Sequence, residues 1–177
     1  MIYRSSRKHV LDWTGQPSFL DELTDSLAPI PVHMPDDTKF MPRGVKAPEE
    51  ARLDRFGPKW HPSPAWHALK VWWLRHTRGA NTPNWDIAVG CMIEDRPGLI
   101  LVEAKANWPE LSPVGKILPK KPTKNTLENH TRIGEAIKEA CNGWHLLDKS
   151  VAITRDSHYQ LSNRYTDPLL DCTSDKR

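Results

Sequence analysis

The sequence predicts an α/β fold, a single domain with an appended arm. Three features carry the expectation. Two apolar, β-branched runs at 85–93 and 99–106 read as a hairpin. Amphipathic helical patterns lie on either side of it, at 63–76 and from Asn125 onward. Before them, residues 1–62 are broken by prolines.

Composition sets the outer limits. The chain has 177 residues, 38% of them hydrophobic, and its mean hydropathy is −0.63. That allows one domain with a modest core. No run free of polar residues is long enough to cross a bilayer, and the N-terminal Met-Ile-Tyr-Arg-Ser-Ser-Arg-Lys lacks the apolar stretch of a secretory signal, so no membrane partner is expected. Cys91, Cys141 and Cys172 are too few and scattered for a disulfide framework and form no Cys-x-x-Cys pair, which makes a reducing, cytoplasmic setting the expectation. The net charge of +3 is unevenly spread. Residues 1–60 hold nine basic and nine acidic side chains and residues 61–110 five of each. The excess therefore falls after residue 110, where the stretch 115–124 has four lysines and no acid.

The elements follow in order. Prolines 17, 29, 31, 35, 42, 48, 58 and 62 make residues 1–62 an irregular arm with room only for short helices. One such helix is expected over 18–26. Another is expected over 48–56, with Pro48 at its start, acids in its first turn and Gly57 after its end. The α/β core is read over 63–165 and a polar tail over 166–177. At 63–76, Ser63 can cap a helix and Pro64 suits its first position. Trp66, Leu69, Trp73 and His76 share a stripe that Trp72 and Leu74 broaden, which reads as a helix packed on a sheet before it reads as a base-stacking surface. The second hairpin strand is apolar on both faces, so it is expected to be central and covered. Residues 107–124 are a basic, proline-rich loop. Asn125 and Glu128 have the spacing of a capping box, and Ile133, Ala136, Ile137, Ala140, Cys141 and Trp144 form the apolar face of the helix that follows. A short strand is expected at 151–154 and a helix start at 157.

Glu103 and Lys105 need a reason, because they end the most apolar strand in the chain and burying unpaired charge is costly. Two residues apart, they point to one face. Asp86 opens the partner strand. A register with Asp86 opposite Lys105, and Ile93 opposite Gly98 across a four-residue loop, brings all three together. Two carboxylates can hold Mg²⁺ through hard oxygens, the Ala104 carbonyl can complete the shell, and a lysine can stabilise developing phosphate charge or orient a water.

Asn84-Trp-Asp86, a strand and turn, then Val102-Glu-Ala-Lys105 resembles the PD-(D/E)XK nuclease superfamily. The leading proline corresponds to Pro83, displaced by two residues. The resemblance implies a restriction-endonuclease-like core, a central mixed sheet flanked by helices. It also implies Mg²⁺-dependent hydrolysis of nucleic-acid phosphodiesters, with Mn²⁺ as a substitute and DNA as the expected substrate. Asp86 and Glu103 then bind metal with Ala104, Lys105 is catalytic, and Gln160 is an auxiliary group or an ordinary helix-surface amide. Helices before the hairpin often supply a further acid in this superfamily. The stretch 63–76 has none, and neither Glu49 nor Glu50 of the arm is assigned to the site. The stretches 99–105, 129–134 and 158–164 are similar to a group of uncharacterised bacterial proteins of the superfamily, in which a long helix and a last strand follow. Here Pro168 and a polar tail follow, so the expectation is a shortened C-terminus and an uncovered sheet edge that a homodimer would cover. The alternative is a non-catalytic nucleic-acid-binding or protein-interaction module on the same scaffold. Asn129, His130 and Arg132 are open between phosphate contact and capping. Lysines 116, 120, 121 and 124 are open between tracking a phosphate backbone and simple solvation. His61, His67 and His76 lack metal-ligand spacing.

Overall fold

Residues 5–52 of the proline-broken N-terminal stretch are folded, and they supply most of the described part of the first unit. The computed structural model describes residues 5–52, 70–76, 78, 82–107, 113–146, 148–159 and 162. The fold is mixed α/β with antiparallel sheets. It divides into two compact units, one of Met1–Ser63 with Asn84–Asn107, the other of Pro64–Pro83 with Trp108–Arg177.

In the first unit, helix α1 (Ser5–Thr14) runs up to the break at Pro17 and buries Val10, Leu11 and Thr14. Helix α2 (Phe19–Ser26) has Asp21 and Glu22 in its first turn, favourable at the positive pole, and buries Phe19 and Leu23 one turn apart. Three short strands follow, β1 (Val32–His33), β2 (Phe40–Met41) and β3 (Ala51–Arg52). Over residues 5–52 the arm therefore carries regular elements. Each proline ends an element, but the segments between them still find partners. β3 also corrects the helix expected over 48–56. Ala51 is fully buried and pairs with Trp85, and that long-range pairing overrides helix punctuation too short to stand alone.

The hairpin is present, with β4 (Asn84–Trp85) leading into β5 (Ile87–Ile93) and β6 (Arg96–Val102) antiparallel to β5. The central strand is β5, not the second strand as expected. It pairs β6 along one edge and β1 and β2 on the other. β6 pairs only β5 among the described residues. Pro97, which cannot donate to a ladder, suits such an edge and blunts it. Every strand pair among the described residues is antiparallel, where a mixed sheet was expected. The loop is also tighter than expected. Ile93 pairs Arg96 across Glu94 and Asp95, whose φ values of 47° and 63° are those of a two-residue type I′ turn.

Ile87 and Val89 of β5 join Val10, Phe19 and Leu23 in one buried cluster, with Trp13, Phe40, Ile100, Val102 and Ala104 packed against it. Phe19 sits edge-on to Trp13 at 4.9 Å between ring centroids. The α1 end is locked where Gly44 approaches it. Gly44 has φ +66°, and a Cβ there would stand 2.7 Å from the Gly15 Cα. The Gly44 N–H donates to Thr14 Oγ1 at 3.2 Å. Gly44→Ala should destabilise the protein by about 1–3 kcal/mol in a calorimetric melt, because the backbone is left-handed and the space is taken.

In the second unit, helix α3 (Lys124–Trp144) is capped by Thr123, whose hydroxyl accepts from the Thr126 N–H at 3.2 Å. The cap is two residues earlier than the expected Asn125, and Glu128 is engaged elsewhere, with the His76 ring. Residues 70–73 are helical and the earlier part of the expected helix lies outside the described residues. Trp73 and Leu74 pack on Ile133, Ala136 and Ile137, so this is helix on helix in place of the expected helix on sheet. Residues 151–154 form no strand, and a helical turn begins at Tyr159.

Arg132 lies over the Trp72 ring at 5.8 Å and donates through Nε to the Trp72 carbonyl at 2.6 Å. Glu139 accepts from Arg132 Nη1 at 2.9 Å and from Trp72 Nε1 at 2.6 Å. The hydrogen bond from Arg132 holds the Glu139 carboxyl below its usual range. A depressed carboxyl contributes stability above its unfolded value and loses it as the pH falls through the folded one. Glu139→Gln should therefore flatten the acid limb of a melting-temperature profile followed by circular dichroism.

Candidate functional site

Strand alternation builds the site. Ile87 and Val89, and across the ladder Val102 and Ile100, face the helical core. Residues between them face the other way. One step past the last pair, Ile87 with Val102, stand Asp86 and Glu103, on the face away from α1 and α2. Ala104 packs on the core, as the alternation requires. Lys105, two residues past Glu103, returns to the outer face and forms an ion pair with Glu103. The expected register put Asp86 opposite Lys105. The observed ladder ends at Ile87 with Val102, and continuing its register by one residue sets Asp86 opposite Glu103 instead, because the two-residue turn shortens the loop by two. A shift of two preserves the faces, so the same three residues meet.

The ladder end is closed by a side chain. The Ala104 N–H donates to Asp86 Oδ2 at 2.8 Å. The Glu103 side chain is 16% exposed and that of Lys105 26%. Asp86 is half-buried, and burial pushes its carboxyl above the usual range. The charges of Glu103 and Glu50 push the same way, against the Ala104 N–H and the Lys105 ammonium.

Glu50 is the residue that sequence reasoning set aside. β3 and β4 pair Ala51 with Trp85 and Arg52 with Asn84. Continuing that register by one residue sets Glu50 beside Asp86. Asn84 Nδ2 donates to Glu50 Oε2 at 2.9 Å, and Arg7 Nη1 stands 3.3 Å from Glu50 Oε1. Arg7 Nη2 also donates to the Pro48 carbonyl. Glu49 is exposed. Three carboxylates thus line up across adjacent strand segments in the order Glu50, Asp86, Glu103, with Arg7 at one end and Lys105 at the other. The only sequence signal for Glu50 was the acid pair itself, since its neighbours Arg7 and Asn84 are distant along the chain.

The remaining expectations divide. Gln160 lies outside the described residues. Asn129 is structural, accepting from the His76 N–H at 2.6 Å and donating to its carbonyl at 2.9 Å. Arg132 is engaged with Trp72 and Glu139, as above. Among the described residues no group of three or more His, Cys, Asp or Glu side chains is arranged to hold a metal ion. The donors at the hairpin end are all hard oxygens, and their mutual repulsion on Asp86 is what a divalent cation would relieve, so the residue types fit Mg²⁺. No protein-family model, curated protein or solved structure matches the chain.

Proposed function

We propose that the chain is a metal-dependent phosphodiesterase of the PD-(D/E)XK type that hydrolyses nucleic acid, with DNA as its expected substrate. The observation that carries the reading is the meeting of Asp86, Glu103 and Lys105 at one end of a hairpin, on the face turned away from the core. Restriction-endonuclease-like architecture is part of the same reading, supported by helices packed on one face of a hairpin-centred sheet. Asp86 and Glu103, with the Ala104 carbonyl, would hold Mg²⁺ or Mn²⁺. When bound, the cation would polarise the phosphate and acidify a water.

The chain's own groups do the rest. The Ala104 N–H fixes one oxygen of Asp86, and the other would be the one to take the cation. Lys105, released from Glu103, would neutralise charge building on the phosphate oxygens. Glu50, oriented by Asn84 and Arg7, adds a third negative charge beside Asp86 and would favour a divalent over a monovalent cation.

A second reading, a non-catalytic nucleic-acid-binding or protein-interaction module, is favoured by one observation. The Lys105 ammonium is paired on Glu103. Nicking of a supercoiled plasmid in Mg²⁺, in EDTA and by Lys105→Ala separates the two. Metal-dependent nicking that Lys105→Ala loses supports the enzyme. Equal nicking by both proteins rejects it.

A further inference from the structure

We propose that the second unit carries a nucleic-acid-binding surface whose fixed point is Arg155, laid across α3 at Gly134, and which continues through Lys116 to Lys120, Lys121 and Lys124. The partner rests on the function proposed above, but the surface does not depend on the chemistry at Asp86. Gly134 lies inside α3, where glycine is disfavoured. A Cβ there would stand 2.9 Å from Arg155 Nη1 and 3.3 Å from its Cζ. The guanidinium occupies the room a side chain would take.

His130, one turn earlier, holds the cation without neutralising it. Its Nε2 meets the Lys116 carbonyl at 2.9 Å. A carbonyl only accepts, so Nε2 carries the proton. Nδ1 is then bare and accepts from Arg155 Nη1 at 3.2 Å. The His130 carbonyl accepts from the same nitrogen at 3.4 Å. Asp156, accepting from Arg155 Nε at 2.8 Å, is the one carboxylate paired with Arg155 or Lys116 among the described residues. Lys116 is fixed at the same place. Its N–H donates to the Arg155 carbonyl at 2.9 Å, and its Nζ donates to Tyr159 Oη at 3.1 Å and lies 4.5 Å from that ring's centre.

No acid occurs between Glu110 and Glu128, and Lys120, Lys121 and Lys124 are exposed. Among the described residues, Lys124 alone of these three has a carboxylate near it, Glu128 at 3.8 Å. A guanidinium held in place presents a planar donor fork suited to phosphodiester oxygens. Attraction to an anionic lipid surface needs no such fixed geometry. The spread of further cations along residues 116–124 suits successive phosphates of a nucleic-acid backbone.

The test is fluorescence anisotropy of a labelled 30-base-pair duplex with the full chain, in EDTA so that cleavage does not compete, from 50 to 200 mM KCl. Five phosphate contacts give an expected slope of log affinity against log salt of about −4.5. Lys120→Gln with Lys121→Gln, both on exposed side chains, should reduce that slope by about 2 and weaken binding about tenfold or more. Arg155→Gln should reduce it by about 1. Gly134→Ala should weaken binding in the same direction with helix content unchanged by circular dichroism. Lys138→Gln, exposed on α3 about 21 Å along the axis from Lys124, should change nothing. Absence of binding at 50 mM KCl overturns the surface. So does binding that the Lys120/Lys121 and Arg155 variants leave unaltered, or a preference for phosphatidylserine vesicles over the duplex. Patch-dependent binding without metal-dependent cleavage would retire the nuclease reading and leave the surface standing. Cleavage lost to Lys105→Ala, with patch variants binding like the parent, would do the reverse.

Discussion

Lys105→Ala should slow plasmid nicking about 100-fold or more while leaving Mg²⁺ affinity equal or tighter. The rate loss is that of removing one charge-stabilising donor from a developing oxyanion. The affinity follows from the ion pair. In the metal-free protein the Lys105 ammonium lies on Glu103, so a cation must displace it. Alanine removes the competitor and, with it, the ammonium charge that offsets the carboxylates of Glu103 and Asp86. The metal-free variant should melt lower than the parent, and Mg²⁺ should restore more stability to it than to the parent. Calorimetric Mg²⁺ titration alongside the nicking assay separates the two effects. A variant that loses rate and Mg²⁺ affinity together would make Lys105 a structural support of the carboxylates and not a group acting on phosphate.

What could be read from the sequence follows the range of the forces involved. The hairpin was legible because alternation and a turn are local, and the site survived a wrong register because an error of two keeps every side chain on its face. Helix α3 was legible from its apolar period, although its cap fell on Thr123 and not Asn125, two hydroxyl- or amide-bearing residues of similar capping strength. The prolines misled. They mark ends of elements, and α1, α2 and β1 to β3 fit between them because Phe19, Leu23 and Ala51 have distant partners in Ile87, Val89 and Trp85. Glu50 was illegible for the same reason. Nothing near it in the chain sets it beside Asp86; that takes the β3–β4 pairing. The tryptophans went the other way. Trp73 is 1% exposed, so the core reading of its stripe holds at that position.

Asp86→Asn should abolish metal-dependent nicking and at the same time raise the melting temperature of the metal-free protein. Outer-shell partners of a metal commonly cost about 10–100-fold in affinity or activity when removed, so a carboxylate that would itself take the cation should cost at least that much. The stability gain comes from the line of three carboxylates. Asp86 is half-buried between Glu50 and Glu103, and its charge is opposed by burial first and by both neighbours after that. Asparagine keeps the shape, and its side-chain oxygen can still accept the Ala104 N–H, so the ladder end stays closed while the repulsion goes. Relief of one crowded charge is worth about 0.5–2 kcal/mol. The pH dependence has a definite sign. A carboxyl raised in the folded state contributes stability that is fully present below its unfolded value and lost as the pH rises through its folded value. The parent in EDTA should therefore lose stability over that interval, and Asp86→Asn should not. Added Mg²⁺ should stabilise the parent and leave the variant unmoved. A variant that melts below the parent in EDTA would mean that Asp86 is a structural bracket for Ala104. Equal Mg²⁺ stabilisation of the two proteins would place any cation elsewhere. The combination expected, greater stability with lost activity, marks a charge kept at a cost to the fold for what it does to a ligand.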